Sequence, residues 1–240
     1  KDGQVYPELL TISAVRDEQQ VLHHYVGVFS DISLLKEQQQ RLELMAHYDA
    51  LTQLPNRVLL ADRLQQAIAY TQRNNILLAV CYLDLDNFKP VNDNHGHETG
   101  DRLLVEVARR LKQTIRGGDT IARLGGDEFV LLLSGLHDVN ECEINLNRLQ
   151  MVLAEPYKIG DLQFNTTASI GVTLYPIDDA DSDTLLRHAD QAMYQAKQTG
   201  RSRHHIFDPE YDRQAYAHRE AVDRIKHALL TNEFCLHYQP

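Results

Sequence analysis

Two short acidic segments carry the side chains best suited to chemistry. Asp84-Leu85-Asp86 follows an apolar run of strand length, and Gly125-Gly126-Asp127-Glu128 precedes another. If the two strands are neighbours, Asp84, Asp127 and Glu128 converge, and carboxylates that close repel one another unless a cation lies among them. Oxygen ligands of this kind favour Mg²⁺ or Mn²⁺. The pattern therefore indicates metal-assisted phosphoryl or nucleotidyl transfer, in which the metal activates a hydroxyl group and neutralises phosphate charge.

Cations for the phosphates have to come from other segments. Lys89 follows the first acidic segment, and Lys197 and Arg201 lie near the end of a predicted helix. Taken singly, each feature also has a plain structural interpretation. An acidic turn can cap the next helix, two glycines suit a tight hairpin, and a lysine stabilises the negative end of a helix dipole.

Composition narrows the classes of function. The chain has 240 residues and a formal net charge of −10, which disfavours a general affinity for nucleic acid polymers, since that needs a basic surface. Its three cysteines form no CxxC pair, which fits a reducing compartment. No apolar run is long enough for a membrane span. We therefore expect a cytoplasmic fragment cut from a longer protein.

Hydrophobic periodicity predicts the elements that position these groups. Between residues 49 and 207, amphipathic helical segments alternate with short apolar strands, which indicates an α+β fold (an α/β sandwich) with a central mixed β-sheet flanked by helices. The predicted helices are 58–72, 100–114, 139–154 and 184–197, and the predicted strands are 76–83, 120–123, 129–133 and 167–174.

Shorter segments flank this domain. Val5–Ile12 and Val21–Phe29 alternate like the two strands of a hairpin, and residues 34–48 predict a helix. Its spaced leucines suit either an amphipathic connector or a short two-stranded coiled coil. A further helix is predicted over 211–231, followed by a strand at 234–240.

The motifs together resemble the GGDEF family of diguanylate cyclases. The signature itself is Gly125 to Phe129, and Asp49 to Arg57 (DALTQLPNR) resembles the motif that opens the family's domain. Asp84 to Asp101, Ala168 to Val172 and Ala189 to Lys197 resemble its later blocks, in the same order and at similar spacing. The resemblance implies the nucleotide-cyclase or polymerase-palm type of fold.

The resemblance implies a reaction in which two GTP molecules condense to cyclic di-GMP and two pyrophosphates. Each subunit of an antiparallel homodimer would hold one GTP, and each 3′-hydroxyl would attack the α-phosphate of the other nucleotide. Dimerisation would then be part of catalysis, because it makes a bimolecular step effectively intramolecular.

The resemblance also implies roles for residues. Asp84, Asp127 and the Leu85 carbonyl correspond to metal ligands, and Glu128 to either a further ligand or the base near the 3′-hydroxyl. Asn92 and Asp101 correspond to guanine-reading residues, whose polar groups adenine would leave unpaired. The implied phosphate ligands are the side chains of Lys197 and Arg201 and the backbone N–H groups near Phe88 and Lys89.

A second ligand site is implied by Arg116-Gly117-Gly118-Asp119, an RxxD pattern separated from Gly125 by five residues. Its position resembles the family's inhibitory site for cyclic di-GMP, where Arg116 and Asp119 would contact guanine or phosphate. The plain alternative is an ion pair within a turn. Arg123 is interpreted as a structural residue or a secondary contact of this site.

The ends of the chain resemble other signalling modules. We expect residues 1–33 to be the last strands of a PAS domain, 34–48 a linker helix, 49–208 the GGDEF domain, and 209–240 a linker helix with the first strand of an EAL phosphodiesterase domain. No EAL catalytic residue is present, so this chain itself should not hydrolyse cyclic di-GMP. The alternative to an active cyclase is a silent GTP-binding module that regulates such a phosphodiesterase.

Overall fold

The structure is a computed structural model that describes residues 5–208, and a mixed β-sheet lies at its centre. The predicted helix at 211–231 and strand at 234–240 lie outside the described residues. The strands are β1 (Glu8–Arg16), β2 (Leu22–Asp31), β3 (Leu77–Leu85), β4 (Thr120–Gly125), β5 (Glu128–Leu136), β6 (Tyr157–Ile159), β7 (Leu162–Phe164), β8 (Ala168–Tyr175) and β9 (His204–Ile206). The helices are α1 (Ser33–His47), α2 (Arg57–Asn74), α3 (Phe88–His95), α4 (His97–Thr114), α5 (Val139–Ala154) and α6 (Ser182–Gln198).

The central sheet has five strands in the order β4-β5-β3-β8-β9. Strand β3 pairs antiparallel with both β5 and β8, whereas β8 and β9 run parallel. Helices cover both faces of the sheet, which explains why β3 is an almost unbroken apolar run rather than an alternating one. The predicted α+β class with a central mixed sheet is thereby confirmed.

Two apolar cores hold the helices on the sheet. On one face, buried side chains of α4 and α5, such as Leu103 and Leu146, pack against Leu83 and Phe129. On the other face, residues of α2 and α6 pack against the opposite sides of β3 and β5. Helix α6 approaches β8 closely at Gly171, where a Cβ atom would lie 1.9 Å from the backbone nitrogen of Met193.

The N-terminal segments form the predicted hairpin and helix. Strands β1 and β2 pair antiparallel from Glu8 opposite Asp31, and α1 follows directly. The leucines of α1, including Leu35 and Leu42, are exposed in the single chain. Its assignment as a coiled coil therefore remains a prediction. No helix in residues 5–208 is long and apolar enough to cross a membrane.

Several elements differ from the sequence-based predictions. Strand β3 runs on to Leu85, so Asp84 lies within the strand instead of after it. Helix α3 and the strands β6, β7 and β9 were not predicted. These three strands have only three residues each, too few for an alternating pattern to be recognised.

Candidate active site

The two acidic segments meet at the end of β3. Asp84 lies directly opposite Glu128 in the antiparallel pairing of β3 and β5, so both side chains point to the same face of the sheet. On that face the hydroxyl of Tyr82 donates a hydrogen bond of 3.1 Å to Oε2 of Glu128. The expected neighbourhood of the two strands is therefore present, and Tyr82 is a contact that the sequence did not indicate.

The turn before Glu128 is held by an arginine. Gly125 and Gly126 have φ angles of 149° and 51°, which glycine adopts without strain. Arg123 donates from Nε and Nη2 to the carbonyl oxygen of Gly126, at 3.0 and 2.8 Å. Its Nη1 lies 2.9 Å from Oδ1 of Asp49, at the junction between α1 and the domain. In this structure Arg123 is thus a structural anchor of the turn.

A lysine brings positive charge to the acidic end of β3. Lys197, in the last turn of α6, places Nζ 2.7 Å from Oδ1 of Asp84. Both side chains are largely buried, with 29% and 13% of their surface exposed. Screening by water is therefore weaker than for a surface pair. The predicted phosphate ligand and the predicted metal ligand are in direct contact in the nucleotide-free protein.

The carboxyl groups here are harder to ionise than usual. Burial raises the pKa of Asp84, and the hydrogen bond from Lys197 only partly opposes it. Burial also raises the pKa of Asp127, and the charge of Glu128 adds to the rise. Asp190 on α6, which the sequence analysis did not single out, has a raised pKa because of burial and the nearby charge of Glu128.

The donor set fits a hard divalent cation in kind. No three His, Cys, Asp or Glu side chains of residues 5–208 are already arranged as a metal-binding group. Two carboxylates, Asp84 and Asp127, nevertheless interact electrostatically, and Leu85 follows Asp84 directly in the chain. The two carboxylates and the Leu85 carbonyl all offer oxygen ligands. Their raised pKa values show that the protein leaves this negative charge incompletely compensated, which a bound cation would correct.

The predicted guanine-reading residues lie on two successive helices. Asn92 is half-buried on α3, and Asp101 is exposed in the first turns of α4. Gly100, next to Asp101 on α4, packs directly against the Asn92 side chain. A Cβ atom at Gly100 would lie 1.9 Å from Oδ1 of Asn92 and 3.2 Å from Cζ of Phe88. Only glycine leaves the Asn92 side chain room against α4, so Gly100 is a further residue of this segment.

The remaining predicted phosphate ligands lie at the site's rim. Phe88 is buried at the start of α3, and Lys89 is exposed beside it. Arg201 is exposed in the loop after α6, where its φ is 58° and its N–H donates to the carbonyl oxygen of Ala196.

In the predicted product site, the side chains of Arg116 and Asp119 do not form the ion pair that was the plain alternative for this turn. Asp119 accepts hydrogen bonds from the backbone N–H groups of Arg116 and Ser134, both at 3.0 Å. The Arg116 guanidinium instead pairs with Glu141 at 3.1 Å. An open cleft of about 560 Å³ beside Asp119 is lined partly by Tyr70 of α2. The RxxD segment is therefore an ordered turn whose arginine is exposed.

Comparisons with known proteins agree with this geometry. The family profile described as "Diguanylate cyclase, GGDEF domain" matches residues 46–203. The chain is 41% identical over 208 residues to the bifunctional diguanylate cyclase/cyclic di-GMP phosphodiesterase MucR of Pseudomonas aeruginosa, covering 87% of this chain and 30% of MucR. It is 36% identical over 211 residues to the cyclic di-GMP phosphodiesterase PdeR of Escherichia coli, covering 88% of this chain and 32% of PdeR.

Solved structures show the same fold. The GGDEF domain of TpbB (YfiN) from Pseudomonas aeruginosa superposes with a TM-score of 0.67 at 35% identity, covering 71% of this chain and 99% of that structure. The chain spans about a third of the length of MucR and PdeR. The matched profile covers most of the chain and includes every predicted site residue. This protein therefore belongs to the GGDEF family.

Proposed function

We propose that the domain is a diguanylate cyclase that condenses two GTP molecules into cyclic di-GMP, one nucleotide being held by each subunit of an antiparallel homodimer. The observation that carries the proposal is the end of β3. There Asp84 lies opposite Glu128 and 2.7 Å from Lys197. A metal–triphosphate complex needs acidic oxygen ligands for its metal and a cation for its phosphates, and the carboxylates and the lysine offer both.

In this mechanism Asp84, Asp127 and the Leu85 carbonyl would hold Mg²⁺ or Mn²⁺, which would neutralise phosphate charge and lower the pKa of the attacking hydroxyl. Glu128, held by Tyr82, is either a further ligand or the acceptor of the 3′-hydroxyl proton. Substrate binding gives Lys197 phosphate oxygens as new partners in place of Asp84. Asn92 and Asp101 select guanine, and Arg201 and the N–H groups near Phe88 and Lys89 add phosphate contacts.

The parent protein is proposed to be a multidomain signalling protein with a PAS domain before this domain and an EAL domain after it. The bifunctional name of MucR supports a linked phosphodiesterase domain, since the chain covers only 30% of that protein. Cyclic di-GMP at Arg116 and Asp119 would inhibit the cyclase. The exposed guanidinium of Arg116 supports that assignment, because binding product requires only exchange of its partner Glu141.

The second candidate is a silent GTP-binding module that regulates a linked phosphodiesterase. It is favoured by the similarity to PdeR, which is named a phosphodiesterase. The presence of Asp84, Asp127 and Glu128 favours the active cyclase, because a module without turnover has no need of all three.

Incubation of the purified protein with GTP and Mg²⁺, followed by chromatography and mass identification of products, tests the proposal. Cyclic di-GMP formation, abolished in Asp84→Asn, is the expected result. The specific rate should rise with protein concentration, since two half-sites must meet. GTP binding without product at every protein concentration would overturn the cyclase and favour the regulatory module.

Product inhibition tests the second site. Arg116→Ala removes the guanidinium that would contact product, so the concentration of cyclic di-GMP that halves the rate should rise about tenfold or more. Arg109→Ala is a matched control, because Arg109 is an exposed arginine paired with Glu106 on α4. Equal inhibition of Arg116→Ala and wild type would remove the product-site assignment.

A further inference from the structure

Asp86, the second carboxylate of the first acidic segment, is buried and fully engaged by protein donors. Only 3% of its surface is exposed. Its carboxylate accepts hydrogen bonds from Thr167 Oγ1 at 2.6 Å and Ser169 Oγ at 2.7 Å. A third donor, the backbone N–H of Ser202, lies 3.0 Å from Oδ2. A carboxylate this buried is tolerated only because such donors replace water.

The backbone of Asp86 ties the end of β3 to the segment before β8. Its N–H donates to the Thr167 carbonyl oxygen at 2.8 Å, and its own carbonyl oxygen accepts from Thr166 Oγ1 at 2.7 Å. The next residue, Asn87, has a φ of 59°, so the chain turns sharply there. Asp86 therefore turns inward after the strand, whereas Asp84 stays on the face that carries Glu128.

The third donor belongs to the loop that carries Arg201. Arg201 and Ser202 have φ angles of 58° and 50°, and left-handed backbone costs about 1 kcal/mol at each non-glycine residue. The loop keeps this conformation because its N–H groups are satisfied: Arg201 donates to Ala196 and Ser202 to Asp86. Asp86 is thus the side chain that joins this loop to the end of β3, beside backbone contacts such as the one between Ile170 N–H and the Arg203 carbonyl oxygen.

We propose that Asp86 is a positioning residue for triphosphate binding, an inference that rests on the proposed function. It holds the loop so that Arg201, together with Lys197 at the end of α6, faces the phosphates of a nucleotide whose metal is held at Asp84. The proposal gives Asp86 no role as a metal ligand, because its buried carboxylate already accepts hydrogen bonds from Thr167, Ser169 and Ser202.

The test compares the binding of GMP with that of guanosine 5′-(α,β-methylene)triphosphate, which cannot release pyrophosphate. Wild type should prefer the triphosphate. The preference is expressed as the Kd for GMP divided by the Kd for the triphosphate. In Asp86→Ala this ratio should fall about tenfold, which corresponds to one charge-assisted contact, because the loop loses its hydrogen bond to Asp86. GMP binding, which depends on Asn92 and Asp101, should change less than about twofold on the same scale.

Asp86→Asn separates positioning from metal ligation. The amide oxygen can still accept from Ser202, and the amide nitrogen can donate to the Ser169 hydroxyl, so the ratio should return close to wild type. Mn²⁺ affinity, measured by electron paramagnetic resonance, should be unchanged in both variants. Loss of Mn²⁺ affinity in Asp86→Asn would overturn the proposal in favour of a metal ligand.

Asp178→Ala is the matched control for losing a buried carboxylate. Asp178 is 7% exposed and accepts a hydrogen bond of 2.7 Å from Oγ1 of Thr173. Like Ser169, Thr173 belongs to β8, but it lies away from the site. Asp178→Ala should lower the melting temperature and leave the nucleotide ratio unchanged. Where Asp86→Ala does not fold, Thr167→Val, which removes one donor to the carboxylate, should still lower the ratio.

Three outcomes are decisive against the inference. Equal weakening of GMP and triphosphate binding in Asp86→Ala would show a general structural role and overturn positioning. Absence of triphosphate preference in wild type would overturn the proposed function and, with it, this inference. Cyclic di-GMP formation by wild type combined with an unchanged ratio in Asp86→Ala would overturn the inference alone.

Discussion

Two carboxyl groups of the candidate site, one in β3 and one in the turn before β5, have raised pKa values. Asp84 and Asp127 both have pKa values raised chiefly by burial, although Lys197 is close to each. Neighbouring charge on Glu128 adds to the effect. Ionising these carboxylates in the folded domain therefore costs stability, and a divalent cation bound beside them would offset that cost.

Asp127→Asn should abolish turnover and yet stabilise the metal-free fold. The pKa of Asp127 in the folded state lies above its ordinary value of 3.8. Its ionisation therefore costs stability, a cost that is absent well below pH 3.8 and complete once the pH exceeds the folded-state pKa. In a chelator at pH 7 the variant should melt at a higher temperature than wild type, and the gap should shrink as the pH falls towards 4.

Thermal unfolding at several pH values measures this gap, and Asp161→Asn, an exposed carboxyl in the turn between β6 and β7, supplies the control for charge alone. Adding Mg²⁺ should stabilise wild type more than Asp127→Asn. A variant less stable than wild type at pH 7 in chelator would contradict the electrostatic account.

At this scale the sequence motifs indicated candidate residues but not their partners. They predicted that Asp84 and Glu128 would converge if their strands were neighbours, and β3 and β5 do pair with these two residues opposite each other. They could not show that Tyr82 bonds Glu128, since this depends on the register between β3 and β5. Nor could they show that Asp86 is buried, since that depends on where β3 ends.

At the scale of elements, the close contact between α3 and α4 depends on one missing methyl group. Gly100 lies in the first turns of α4, where alanine would be the better helix former by up to about 1 kcal/mol. A Cβ atom would nevertheless collide with Oδ1 of Asn92 at 1.9 Å. Space for the Asn92 side chain, which we propose reads guanine, is thus kept at the expense of helix propensity.

Gly100→Ala should therefore displace Asn92 and weaken selection of guanine. We expect the Kd for GTP to rise about tenfold, while the weaker binding of ATP stays the same, since ATP makes no use of the guanine readers. Gly117→Ala is the control, because its added Cβ would meet no atom within 4 Å. Calorimetric titration measures both nucleotides; equal loss of GTP and ATP binding would contradict a specific role for Asn92.

Long elements were predicted from the sequence, and short ones were not. Helix α5 spans Val139–Ala154, as its periodicity predicted, because it has enough turns for the apolar stripe to show. Helix α3 was missed because Asn87 before it adopts the left-handed backbone and Pro90 lies in its first turn. Strand β9 pairs through only three residues, and its partner β8 is distant in the sequence.

At the scale of the whole molecule, all the predicted metal ligands lie on or next to the middle strand of the five-stranded sheet, β3. The predicted phosphate ligands lie on α3, on α6 and in the loop after α6. Strand β3 is paired on both sides, by β5 and by β8. The loop with Arg201 is joined to that frame through Asp86 and a few backbone contacts. The two halves of the site are therefore held with very different numbers of interactions.

That central position of β3 has a consequence for how the protein opens in solution. Amide protons of residues 77–85 should exchange with deuterium only when the whole domain unfolds, because both flanking strands must separate first. Amides of 199–203 should exchange through local opening, many times faster, and a bound triphosphate should slow them selectively. Deuterium uptake followed by mass spectrometry would then distinguish the two parts of the site. Residues 77–85 should be protected with or without nucleotide, whereas residues 199–203 should become protected only when the triphosphate binds.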